Sequence, residues 1–262
     1  MTDWRTLLLD DPDAFNAAID GVAVTDRTMF VGADLTDVDL SGARLDALDL
    51  TDADLSGSTL PGYWLSTCRL ERTRLDSIVL DDDDWLAPIA EIQALWAGGS
   101  AWTEARSQPA TMILNQAHFA RARFDGIDLS DITFPSGELT GAGFVGAHLD
   151  RTQFRGARLD AASFSDLECR GLSIEQAHAS DSSWTGATIR DARFNDAELR
   201  ECTFIRCQFE NVNFNDSDLR GSRFDTCVLV DCLFFDTDVT STTFTGCDLV
   251  NTSLEHAVGH VL

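Results

Sequence analysis

Lysine is missing from this sequence altogether. The 262 residues carry 19 arginines against 34 aspartates and 10 glutamates, for a net charge of −25. A surface of that sign repels phosphate backbones, which excludes direct binding of nucleic acid through a basic patch. No apolar run is long enough to span a membrane and no secretory leader opens the chain, so the cytoplasm is the expected compartment. Several catalytic signatures are missing too: there is no glycine-rich phosphate loop, no zinc-ligand spacing and no Gly-x-Ser-x-Gly nucleophile turn. No enzymatic activity, cofactor or metal is expected.

What is present is a period. From Phe30, leucine returns at every fifth position, from Leu35 to Leu80 without a miss. A second series starts at Phe119 and runs through Phe124, Leu129, Phe134 and onward to Leu254, with only Cys169 and Ala179 departing from a large apolar residue. Two places before each large residue sits a small one, as at Ala33, Ala53, Ala122, Ala147 and Ala192; the other three positions are mostly Asp, Arg, Ser, Thr, Gly and Asn. A period of five fits neither the 3.6 of a helix nor the 2 of a strand, so the chain must turn after each short extended step. Four steps close a square coil of twenty residues, and stacked coils bury one continuous core.

That geometry disposes of most polar clusters. Cys207, Cys227 and Cys247 are twenty residues apart and stack as a ladder at ~4.8 Å, which does not give the tetrahedral convergence of a metal site. They are expected to be buried free thiols filling small inward positions, with a disulfide inside the ladder as the alternative. His118, His148 and His178 each precede a large inward residue and so face solvent; His118 and His178 share a wall but lie three coils, roughly 14 Å, apart. The carboxylates project from a convex surface and not from a cleft.

The motif Ala-Asp-Leu-x-Gly, present as Ala33-Asp34-Leu35 and Ala53-Asp54-Leu55-Ser56-Gly57, resembles the pentapeptide repeat family. The match covers 11 units in the first series and 28 in the second, about 195 of the 262 residues. The resemblance implies an all-β solenoid, a right-handed quadrilateral β-helix. It also implies a function, since several members of the family bind DNA gyrase or topoisomerase IV as DNA mimics, shield it from inhibitors, and pair through their C-terminal ends as homodimers.

Five segments follow from the pattern. Residues 1–27 lack the period, and Pro12 with Phe15, Ala18 and Ile19 reads as an N-terminal helical cap over the open core. Residues 28–82 form the first repeat stack. Residues 83–116 are a helical insertion, with a helix expected from Trp85 to Ala97 and three tryptophans, Trp85, Trp96 and Trp102; it either packs on the coil or projects as an arm that docks a partner. Residues 117–256 form the second stack and 257–262 a short tail.

Charge is distributed unevenly over the walls of the second stack. The wall of Leu129, Leu149, Ile189, Phe209, Leu229 and Leu249 bears Asp128, Asp131, Asp150, Glu168, Asp191, Glu210, Asp231 and Asp248 against three arginines, whereas the wall from Phe124 to Phe244 is neutral. The acidic wall is the expected partner-binding surface, although Asp also suits the turns of such a repeat. Outward apolar residues gather near the end at Val228, Val230, Leu233, Phe235 and Val250, and are expected to be covered by the tail or by a second copy.

Overall fold

In a computed structural model of the protein, residues 3–23, 26–81, 86–97, 114, 117 and 119–259 are described. The chain divides into two compact units, Met1–Ser107 and Gln108–Leu262. Each is a quadrilateral β-solenoid in which every neighbouring pair of coils is joined by parallel bridges between residues twenty apart.

The pentad works as a turn followed by a rung. In the first coil, Ala33 N–H donates to Phe30 O at 3.0 Å across a turn whose third residue, Gly32, has φ +67°. Among the described residues the same left-handed conformation recurs at 24 residues other than glycine, and ten of these are aspartates. Short polar side chains that bond locally tolerate this region better than others do, so these aspartates have a backbone reason to be where they are.

Inward positions alternate with outward ones as expected. Leu35, Leu55, Phe124, Phe144, Leu159 and Phe204 are almost fully buried, together with the small residues Ala53, Ala142 and Ala157 two places before the next large one. At several positions where the small residue is polar, its hydroxyl donates to the carbonyl 23 residues earlier, Ser58 to Leu35 O at 2.6 Å, Thr152 to Leu129 O at 2.8 Å and Thr242 to Leu219 O at 2.8 Å, while Ser217 donates to Phe214 O, three residues back, at 2.7 Å. Burial of these groups therefore leaves no orphan hydroxyl.

In the second unit, two walls are regular five-stranded parallel sheets. One comprises Ser163–Ser165, Ser183–Thr185, Thr203–Ile205, Arg223–Asp225 and Thr243–Thr245. Inside it runs an aromatic stack, with ring centroids 4.7 Å apart for Phe144 and Phe164, 3.9 Å for Phe164 and Trp184, and 4.4 Å for Phe204 and Phe224. The Trp184 indole is fully buried and satisfied by Ser182 Oγ at 3.0 Å. The other sheet comprises Glu168–Arg170, Thr188–Arg190, Gln208–Glu210, Val228–Val230 and Asp248–Val250.

The first unit departs from the regular pattern at one place. Gly62–Ser66 forms a short helix, α3, where an extended step was expected. Pro61 and the bulky Tyr63 and Trp64 replace the small and polar residues of a normal pentad, yet Leu65 keeps its inward position with no exposure.

Side chains complete the coil edges of this unit. Helices Trp4–Asp10 (α1) and Pro12–Ile19 (α2) lie over the first coil, with Phe15 against Phe30 at 6.0 Å. Asn16 accepts from Arg44 N–H at 2.7 Å and donates to Gly42 O at 3.0 Å, so its amide stands in for a missing rung. Helix Leu86–Ala97 (α4) does the same further on: Gln93 Nε2 donates to Thr73 O at 2.8 Å, exactly twenty residues back, while Ile89, Ile92 and Leu95 are buried.

Candidate partner-binding surface

Of the eight carboxylates expected to form an acidic wall, Glu168, Glu210 and Asp248 lie in the strands of the sheet from Glu168–Arg170 to Asp248–Val250, Asp191 and Asp231 directly follow its strands, and Asp128, Asp131 and Asp150 lie on the coils before it. Stacking at ~4.8 Å puts residues twenty apart in direct reach. Arg151 holds Asp131 with two bonds, Nε to Oδ1 at 2.5 Å and Nη2 to Oδ2 at 2.6 Å. Arg170 Nε binds Asp191 Oδ2 at 2.6 Å, and Arg190 bridges Glu168 at 2.7 Å and Glu210 at 3.2 Å. Bonds from Asn211 and then Arg170 hold the Asp191 carboxyl below its ordinary value. Asp150 accepts the Arg170 backbone N–H at 2.8 Å and Asp128 accepts that of Ser130 at 2.9 Å. Asp231 and Asp248 are exposed and make no ion pair among the described residues. This wall is thus threaded by arginine, and the carboxylates without an ion pair among the described residues, Asp231 and Asp248, lie toward its C-terminal end.

A different feature, at a corner of the coil, was missed by counting charge wall by wall. Asp196, Asp216 and Asp236 follow one another at intervals of twenty residues, all exposed and all with left-handed φ between 54° and 58°. Asn195 Nδ2 donates to Asp196 at 2.9 Å, but none of the three meets a cation among the described residues. Beside them runs a second column, Glu198, Asp218 and Asp238, joined by parallel bridges. This column is partly neutralised: Arg200 and Arg220 converge on Asp218 at 2.5 and 2.6 Å, Arg220 also reaches Asp238 at 3.6 Å, and His178 Nδ1 lies 3.2 Å from Glu198. Burial acts to raise the Asp218 carboxyl, yet the hydrogen bonds from Arg220 and Arg200 outweigh it and hold it at about 2. The signal available in the sequence was the twenty-residue spacing of Asp at the turn position.

The apolar cluster is where it was expected. Leu233 and Phe235 are about half exposed, and on the adjoining wall Val228 and Val230 are half-buried while Val250, in register with Val230, is about half exposed. The tail does not fold over them as far as it is described. Val258 N–H donates to Thr237 O at 2.8 Å and Val258 bridges Asp238, so the chain continues the coil as far as Val258. The last coil has no rung beyond it among the described residues, and its inward Leu249 is 38% exposed.

Of the three tryptophans in the insertion, Trp85 and Trp102 lie outside the described residues. Trp96 is half-buried on α4, with the Arg69 guanidinium over its ring at 4.8 Å. An open notch of about 470 Å³ is lined by Ser136, Gly156, Arg158, Asp160, His178 and Glu198. Burial raises the Asp160 carboxyl there, but the notch is shallow and no cluster of three metal ligands occurs among the described residues. No described helix is long and apolar enough to cross a membrane.

Family models agree with the repeat geometry. One, for a pentapeptide repeat region, matches residues 177–254, and another, for pentapeptide repeats in eight copies, matches residues 28–76 and 138–167. Together they span well over half of the chain. The chain is a pentapeptide repeat protein.

Several solved structures are similar to this chain at low identity. QnrB1, a plasmid-mediated fluoroquinolone resistance protein, is 20% identical over 57% of this chain and 78% of its own, with a TM-score of 0.39. HetL, a pentapeptide repeat protein involved in heterocyst differentiation regulation from the cyanobacterium Nostoc sp. strain PCC 7120, is 19% identical over 88% and 90%, with a TM-score of 0.26. Rfr23, from the cyanobacterium Cyanothece 51142, is 13% identical over 37% and 64%, with a TM-score of 0.20. No curated protein matches the sequence.

Proposed function

We propose that this pentapeptide repeat protein is a non-enzymatic DNA mimic that enters the DNA-binding groove of a type II topoisomerase, DNA gyrase or topoisomerase IV, and modulates it or protects it from inhibitors. The observation that carries the reading is the column of Asp196, Asp216 and Asp236, three exposed carboxylates one coil apart with no cation beside them among the described residues. The second unit stacks about seven coils, ~34 Å at the strand spacing. Its residues 117–256 bear a net −11, which is one charge per ~3 Å, roughly half the linear charge density of duplex DNA. A basic groove built for phosphates attracts such a surface over long range. The acidic wall with Asp128, Asp150, Asp231 and Asp248 adds to the same field. A second copy covers Val228, Val230, Leu233, Phe235 and Val250, giving a homodimer through the C-terminal end.

The test replaces Asp196, Asp216 and Asp236 together by Asn, which tolerates the left-handed turn and removes three charges. Supercoiling by gyrase is measured with increasing protein at two salt concentrations, with and without a fluoroquinolone. The expected result is an effect of the wild-type protein that weakens with salt and a triple variant that needs about tenfold more protein, a loss of ~1.4 kcal/mol. No effect of the wild-type protein at micromolar concentration and low salt overturns the reading.

A further inference from the structure

Seven cysteines are free, and of the six at small inward positions Cys247 differs from the other five in its bonding. Five inward thiols donate to the carbonyl 23 residues earlier: Cys68 to Leu45 O at 2.9 Å, Cys202 to Ala179 O at 3.1 Å, Cys207 to Trp184 O at 3.3 Å, Cys227 to Phe204 O at 3.2 Å and Cys232 to Phe209 O at 3.7 Å. This is the bond that Ser and Thr make at the same position, and it fixes the sulfur against the coil before it. Cys247 does not make it; its one acceptor is Thr245 O, at 3.7 Å. It is also half-buried where those five are buried, because no further coil covers it among the described residues.

Directly beneath Cys247 lies Cys227. Its backbone N–H donates to Cys247 Sγ at 3.4 Å, and Asp248 N–H donates to Cys227 O at 2.9 Å, so the two residues are in register on neighbouring rungs. Rung spacing of ~4.8 Å lies inside the 4.4–6.8 Å range of Cα separations that a disulfide spans. A terminal coil held from one side only can make the small adjustment the bond requires.

We propose that Cys247 is an oxidation site, and that a peroxide converts the Cys227–Cys247 pair into a disulfide that ties the last coil to the one before it. Cys247 sulfur attacks a peroxide oxygen, the O–O bond breaks, one water leaves and a sulfenic acid remains. Cys227 sulfur then attacks that sulfur, the S–O bond breaks and a second water departs with the thiol proton. Two thiols are oxidised and one peroxide is reduced. Partial burial raises the Cys247 thiol above its ordinary value, so the first step is slow at neutral pH and quickens as pH rises.

The test uses the full chain treated with excess hydrogen peroxide, quenched, unfolded and alkylated. Alkylation is expected at two fewer than the seven cysteines, with a mass two hydrogens lower before alkylation, and a thiol reductant restores all seven. Because no arginine follows Arg223, cleavage at aspartates replaces trypsin; it separates the three nearby cysteines and should release the peptide from Asp225 to Val230 joined to that from Asp238 to Cys247. Cys247→Ser, a change at the open end, should keep all remaining thiols free. Cys247 recovered as sulfinic acid, Cys247 joined to Cys247 of another copy, or an unchanged loss of two thiols in the Ser variant would each overturn the proposal.

Discussion

Replacing Asp218 by Asn tests whether the arginine-bridged column stabilises the coil. Asp218 lies between Arg200 and Arg220, at 2.5 and 2.6 Å, with its side chain only 19% exposed. Its carboxyl falls from an ordinary 3.8 to about 2 because the two guanidinium bonds outweigh burial. At 1.36 kcal/mol per pH unit this is worth about 2.4 kcal/mol, and screening of the half-exposed guanidiniums brings it nearer ~1.5 kcal/mol. The folded-state value is depressed, so the stabilisation is fully present above pH 3.8 and is lost as pH falls toward 2. At pH 2 roughly a fifth remains, because the unfolded chain binds the proton and the folded chain only half binds it. Urea melts of wild-type protein and Asp218→Asn, followed by far-ultraviolet circular dichroism, should therefore differ by ~1.5 kcal/mol at pH 7 and converge at pH 2. A gap equal at both pH values would show that the Asn variant acts through packing and not through charge.

Two further outcomes concern the turn and the coil end. Thr226 is β-branched yet holds φ +57°, so Thr226→Asn should stabilise the second unit by ~1 kcal/mol in the same melts, even after loss of the Thr226 bond to Asp225 at 2.8 Å. Leu233→Glu with Phe235→Glu puts charge on the half-exposed apolar corner and should convert a dimer to monomer in sedimentation equilibrium, while a wild-type protein that is monomeric at micromolar concentration removes the dimer from the proposed function.

Much of the fold was legible because one constraint dominates the sequence. Only the inward positions must be apolar, so a five-residue period identifies Phe124, Leu129 and their successors as core without any pairing information. The helix at Gly62–Ser66 was not legible in the same way, since Leu65 keeps the period while Pro61, Tyr63 and Trp64 alter the path between inward residues. Nor were the edge bonds of Asn16 and Gln93, which depend on where a helix stops beside a coil and not on any local pattern. The apolar corner was legible from outward Leu233 and Phe235, whereas the course of the tail was not, because Val258 is as compatible with another rung as with a cover.

The arrangement of charge shows why net charge alone says little about such a molecule. Stacking makes the residue twenty places away a closer neighbour than most residues nearby in sequence, so Asp52 and Arg72, Asp54 and Arg74, and Asp131 and Arg151 are paired by the repeat itself. Solvent-exposed pairs of this kind contribute little to stability, but each removes a carboxylate from the field that a partner would meet. Many aspartates are also required by the left-handed turn. What distinguishes Asp196, Asp216 and Asp236 is that they satisfy the turn, lack a paired arginine among the described residues and follow one another on three successive coils, so their charge is left to the outside as a column. Arginine placed at any of these positions would rejoin the pattern of the acidic wall, and such a substitution would weaken attraction to a basic groove more than loss of an aspartate already held by arginine.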